Sequence, residues 1–125
     1  PFSEQQIGEI TAKFALALAS KKHKSADYWL HQVDDDNIDG LVMQWRIAAV
    51  LQGENWSKIK NELLSLPERN QQSHQWRYWY GRSLLMLGQI TQGEQVLNTL
   101  AEQRHYYGFL AASFMKKPLT LFILW

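Results

Sequence analysis

The chain has no cysteine among its 125 residues. That excludes a disulfide framework and any thiolate metal site, and it is compatible with either cytosol or periplasm. Proline occurs three times, and Pro67 is the one interior breaker. Valine and threonine are sparse and apolar–polar alternation is never sustained, so strand signals are nearly lacking. A charge excess is also missing. Thirteen basic and twelve acidic side chains leave a formal net charge of +1, which removes the electrostatic argument for nucleic acid or an anionic membrane. The most apolar run, "LTLFILW" at 119–125, is far shorter than the roughly 20 residues a spanning helix needs. The phosphate-cradling G-x-x-x-x-G-K-[ST], the dinucleotide G-x-G-x-x-G and the nucleophile elbow G-x-S-x-G do not occur.

Aromatic side chains are abundant: six Trp, five Tyr and five Phe, more than a core of this size requires. The length suits one domain or a piece of a larger protein. The chain opens on Pro1 without a methionine, and the expectation is a processed product or a fragment. The apolar 119–125 tail is expected to pack on something, or to be the cut end of a longer chain.

The pattern reads as helix after helix. Ser3 and Gln6 form a capping-box signature, followed by Ile7, Ile10, Phe14 and Leu18 at helical spacing. A second helix carries Ala26, Trp29, Leu30 and Val33 on one side. The aspartates of "DDDNIDG" (34–40) suit the start of a third helix, which is expected to stop near Gly53. A fourth aligns Trp56, Ile59, Leu63 and Leu66 and is stopped by Pro67. A fifth holds "QWRYWYGRSLLMLG" up to Gly88, a sixth turns Val96, Leu97 and Leu100 inward, and a seventh contains "YYGFLAASF".

These helices come in similar pairs. Gln44-Trp45-Arg46 recurs as Gln75-Trp76-Arg77, 31 residues later, each time followed by a helix end at a glycine and a second amphipathic helix. A repeat of this length built from helical hairpins is the signature of an α-solenoid. The expected fold is therefore all-α: a right-handed superhelix of antiparallel helix pairs, TPR-like, with about seven helices.

Convergent catalytic groups are not evident. His23, His31, His74 and His105 lie far apart in sequence, and none stands in an H-E-x-x-H arrangement. Asp34, Asp35 and Asp36 do not open a calcium loop, because the twelfth position counted from Asp34 is Trp45 rather than glutamate. Glu54, Glu62, Glu68, Glu94 and Glu102 fall in polar faces or connections, so none qualifies as a carboxyl raised by apolar surroundings. No cofactor is expected. Trp76, Trp79, Tyr80, Ser83, Leu84 and Leu87 form one helical stripe, with Tyr78 and Leu85 opposite, as expected of a helix sandwiched between neighbours. Arg46, Arg77, Arg82 and Arg104 stand beside aromatics, in position to stack on them. The residues proposed to face a partner or a glycan are Arg77, Tyr78, Arg104, His105, Tyr106 and Tyr107.

"WLHQV", "QWRIAAVLQGENWSKIKNELLSLPE", "QWRYWYGRSLLMLGQ" and "EQRHYYGFLAASFM" resemble successive segments of the soluble lytic murein transglycosylases. The similarity is to the α-superhelical part that precedes the catalytic domain, and it covers residues 26–117. Its most specific pieces are Trp76 to Gly88 and Tyr106 to Ala112. The resemblance implies a periplasmic location and an enzyme family that cleaves the MurNAc–GlcNAc bond of peptidoglycan to a 1,6-anhydro sugar. In that family the work is done by a lysozyme-like domain with a Glu-Ser motif. This chain contains no Glu-Ser pair, and "GLVMQ" (40–44) only superficially resembles the family's G-L-M-Q motif. The expectation is a superhelical fragment over 1–118 and a tail over 119–125, with the catalytic domain absent and the chain inactive alone. Its partners would then be peptidoglycan through the parent enzyme, and the catalytic domain of that enzyme. The alternatives are a free-standing TPR-like module that holds a protein in its concave groove, and an autonomous sugar-binding module.

Overall fold

Most helices begin where a side chain can accept the orphan amides of the first turn. The computed structural model describes residues 1–116, and in it Ser3 Oγ accepts the Gln6 N–H at 3.2 Å while the Gln6 side chain accepts the Ser3 N–H at 2.9 Å, opening α1 (Glu4–Ser20). Asp39 caps α3 (Gly40–Leu51), accepting from the amides of Leu41 and Val42 at 3.0 and 2.9 Å. Asn55 caps α4 (Trp56–Ser65), Ser73 caps α5 (His74–Met86) and His105 caps α7 (Tyr106–Phe114). Two further helices, α2 (Ala26–Leu30) and α6 (Ile90–Ala101), start without a side-chain cap. Single 3-10 turns at Asp35–Asn37 and Asn70–Gln72 fill the longer connections.

The fold is all-α, as expected, and no strand occurs among the described residues. Helices pack on their sequence neighbours and on the helix next but one: α1 on α2 and α3, α3 on α4, α4 on α5, and α5, α6 and α7 on one another. That serial packing is the superhelical array of helix pairs implied by the repeat. Two apolar clusters result. One gathers Leu30, Ile38, Val42, Met43, Ile47, Ile59, Leu63 and Trp76 from the first two-thirds of the chain. The other gathers Tyr78, Leu97, Leu100, Ala111 and Ala112, and the half-buried Trp79 of α5 packs against both. Helix α5 is buried on two sides, with Trp76, Tyr78, Gly81, Ser83 and Leu84 all covered, as a sandwiched helix should be.

The structure corrects several expectations. In α1, Ile7, Ile10 and Phe14 are about half exposed, although their spacing marks them as a core face. The helix instead approaches the core through Ala12, Ala15 and Ala19, with Gly8 against Asp34 and Asn37 of the next connection, a stripe of small residues on another side. A Cβ on Gly8 would lie 2.6 Å from Nδ2 of Asn37 and 2.8 Å from Oδ1 of Asp34, so the side-chain tips of that connection come close to the helix here. Small residues let backbones meet, and Phe14, although half exposed, still sets its ring edge-on to Trp29 of α2 at 5.2 Å. At the end of α3 the left-handed residue is Glu54 (φ 52°) and not Gly53. Gly88, with φ +85°, does take that conformation after α5. Leu87, assigned to the inward stripe, is 38% exposed because the helix has already ended there. The 119–125 tail and the 118 boundary fall outside the described residues.

Candidate functional site

The repeat places like-numbered residues of alternate helices on one surface. Gln44 of α3, Gln75 of α5 and Tyr106 of α7 succeed one another at 31-residue steps, and so do Ala48, Trp79 and Leu110. All six line a shallow groove of about 350 Å³, completed by Ile47, Leu51 and Tyr107. The third copy of the repeat is hidden in the sequence because Tyr106-Tyr107-Gly108 stands where Gln-Trp-Arg would recur. The lining contains no charged side chain.

The same 31-residue step brings His74 and His105 together, correcting the expectation that the histidines stay apart: their rings stack at 3.9 Å, tilted by 23°. The Nδ1 atom of His105 accepts the Gly108 N–H at 3.0 Å as the cap of α7, while Nε2 lies 2.6 Å from Oε1 of Gln103. This pairing fits the neutral ring with its proton on Nε2. Burial first, and His74 second, hold the His105 pKa below the usual histidine value. Beside it, burial and then the neighbouring Tyr106 raise the pKa of Tyr107.

A larger cleft of about 680 Å³ lies between the α1–α2 connection, α2, α3 and α4, and includes Lys22, Lys24, Trp45, Lys58 and Glu62. Its acidic members are Asp27, which lies 3.5 Å from Nδ1 of His31, and Glu62. Glu62 Oε1 accepts from Arg46 Nε at 2.7 Å and lies 3.0 Å from Nε2 of His31, and Arg46 also donates to Ser65 Oγ at 3.1 Å. Arg46 is 6% exposed, so its guanidinium needs this partner. Glu62 therefore departs from the expectation of a polar-face glutamate. The separation of 16 residues from Arg46 and 31 from His31 concealed its role. A carboxylate held by two such partners is placed as a structural acceptor.

Among the residues singled out from the sequence, Tyr106 and Tyr107 reach the groove, with Tyr106 66% exposed. Tyr78 does not: it is 4% exposed, its hydroxyl accepts from Arg82 at 3.0 Å, and its ring belongs to the second core. The phase of α5 that puts Trp79 in the groove turns Tyr78 inward. Arg77 is half-buried and donates to Gln72 at 3.3 Å. Arg104 is exposed and outside the groove lining, and His105 is occupied as a cap. Cation–π stacking is found at Arg82, whose guanidinium lies 4.0 Å from the Phe114 ring and within 6 Å of Trp56, Trp79 and Tyr78. Arg46 departs from that expectation by pairing with Glu62. Gln44, Gln75 and Trp79 were not proposed as site residues. The Gln-Trp-Arg repeat was the available signal for the two glutamines, and Trp79 read as core.

No protein-family model matches the chain. A curated relative, the soluble lytic murein transglycosylase of Salmonella typhimurium, is 25% identical over a match that covers 62% of this chain and 15% of the relative. Among solved structures, an inactive mutant of the lytic transglycosylase Slt from Pseudomonas aeruginosa superposes with a TM-score of 0.72 at 30% identity. That match covers 97% of this chain and 20% of the Slt chain. The chain thus spans less than a quarter of the length of either protein.

Proposed function

We propose, from the membership of this chain in the soluble lytic murein transglycosylase family, that it is a non-catalytic portion of the superhelical scaffold of such an enzyme. In this reading the curved helical array positions a separate lysozyme-like catalytic domain on glycan strands of the peptidoglycan, in the periplasm. The carrying observation is the extent of the structural match: nearly the whole chain superposes on one fifth of a lytic transglycosylase. The described residues support the non-catalytic part. The most enclosed carboxylate, Glu62, is tied to Arg46 and His31, and the groove across α3, α5 and α7 holds no acid. A retaining or intramolecular glycosidic cleavage needs at least one protonated carboxyl beside the scissile oxygen.

The scaffold role is testable by exchange. When this chain replaces the matching fifth of the P. aeruginosa protein in its active form, the chimera should still release anhydro-muropeptides from murein sacculi. A chimera that unfolds in one cooperative transition and releases none contradicts the equivalence. The free-standing adaptor reading is favoured by no separate observation beyond the groove itself.

A further inference from the structure

We propose that the outer face of α1 docks on an anionic lipid surface. The inference concerns a surface away from the groove and does not rest on the scaffold reading.

Helix α1 is the end helix of the array. It packs on α2 and α3 with its stripe of small residues, and its opposite side faces solvent. The end helix of a solenoid ordinarily turns a polar side outward, because that side stays in water. Here the outward side is apolar. At helical pitch Ile7, Ile10, Phe14 and Ala17 fall within an arc of about 80°, opposite Ala12, Ala15 and Ala19, and all four are exposed. Phe2, just before the row, is exposed as well. Helix α2 widens the surface: Trp29 stands edge-on to Phe14, and the exposed Tyr28 stands edge-on to Trp29 at 5.4 Å. Aromatic rings with a polar tip suit the boundary between headgroups and acyl chains.

The charge around the row names its occupant. Lys21 falls within the same arc and Lys13 about 40° beyond its edge, whereas Glu4 and Glu9 lie further round the helix. Residues 10–26 contain Lys13, Lys21, Lys22 and Lys24 and no acid, so the near-neutral total of the chain conceals a basic end. All four lysines are exposed, and among the described residues none is ion-paired. A second copy of α1 is a poor occupant. Paired parallel in register, or antiparallel about the Ile10–Phe14 centre, it would bring Lys13 against Lys13 with no carboxylate in the arc to answer them. A single convex helix also lacks the groove that a partner helix needs. A lipid surface needs no groove: anionic headgroups answer the lysines while Ile7, Ile10 and Phe14 enter the acyl boundary. Among the described residues no helix is long and apolar enough to cross a membrane, so α1 would lie in the surface and not span it.

The experiment is co-sedimentation of the whole chain with vesicles of phosphatidylcholine alone, and with vesicles in which a quarter of the lipid is phosphatidylglycerol, at low and high salt. The expected result is binding to the anionic vesicles alone, weakened by salt. Lys13→Gln combined with Lys21→Gln should weaken it about tenfold. Ile7→Ser combined with Ile10→Ser should weaken it as much at unchanged helical content, since both side chains lie outside the two cores. Arg77→Gln combined with Arg104→Gln removes equal charge elsewhere and should leave binding unchanged. The proposal is overturned by equal binding to both vesicles, by no binding to the anionic ones at low salt, or by equal losses from the two charge-removing pairs. Vesicle binding indifferent to the isoleucine pair would overturn it too. A chain that is dimeric in solution and becomes monomeric with the isoleucine pair replaced would give the face to a second copy instead.

Discussion

At the scale of single residues, His105 couples protonation to the start of α7. Its Nδ1 lone pair accepts the Gly108 amide, and its ring stacks on His74. A proton on Nδ1 removes the acceptor and places like charge against the neighbouring ring whenever His74 is also protonated. Burial and His74 lower its pKa in the folded chain, so below the unfolded value of about 6.5 the unfolded form binds more protons. Stability from this group is therefore full above that pH and is lost as pH falls through the lowered folded value. Thermal unfolding between pH 7.5 and 5 should show Tm falling with pH. His105→Asn keeps a capping acceptor without the titration, and its profile should be flatter. An unchanged slope in His105→Asn would remove His105 as the cause. None of this was legible in the chain as written: "RHYY" reads as an aromatic cluster, and only the repeat of 31 residues brings His74 to it. Glu62 was hidden for the same reason, since its partners come from α2 and α3.

At the scale of elements, helix pairing is set by where small residues let backbones approach. A Cβ on Gly81 would sit 2.7 Å from Cγ of Leu97, and one on Gly93 would sit 2.7 Å from Cγ of Leu85, so α5 and α6 interlock in both directions. Gly40, at the first turn of α3, has nothing within 4 Å. Gly81→Ala and Gly93→Ala should each destabilise the chain by about 1–3 kcal/mol through overpacking. Gly40→Ala should be neutral or mildly stabilising by helix propensity. Urea unfolding of the three variants checks the ordering, and equal effects would show that the glycines are not packing sites. Helix number, the Ser3–Gln6 capping box, the aspartate start of α3 and the Gly88 terminator were readable because they depend on local chemistry, whereas the caps at Asn55, Ser73 and His105 went unread. The burial of α1 was not. Ile7, Ile10 and Phe14 recur at core spacing, yet the helix meets its neighbours through Gly8, Ala12, Ala15 and Ala19. Periodicity identifies an apolar face, but the closeness of backbones decides which face is used.

At the scale of the whole molecule, serial packing gives a surface on which alternate helices display equivalent positions. The sequence repeat Gln44-Trp45-Arg46 and Gln75-Trp76-Arg77 marked the architecture, but its members diverge in role. Trp76 is buried and donates its indole N–H to Leu63 O at 2.7 Å, whereas Trp45 lies on the larger cleft. Arg46 is buried against Glu62, whereas Arg77 reaches Gln72. The glutamines are the members that keep a common place, in the groove. In the proposed scaffold role the array would organise murein cleavage without performing it. The most direct measurement is incubation of the purified chain with murein sacculi, followed by mass spectrometry of the soluble products. The account predicts no 1,6-anhydro-muropeptides above the buffer control. Their release in proportion to the concentration of the chain would contradict it.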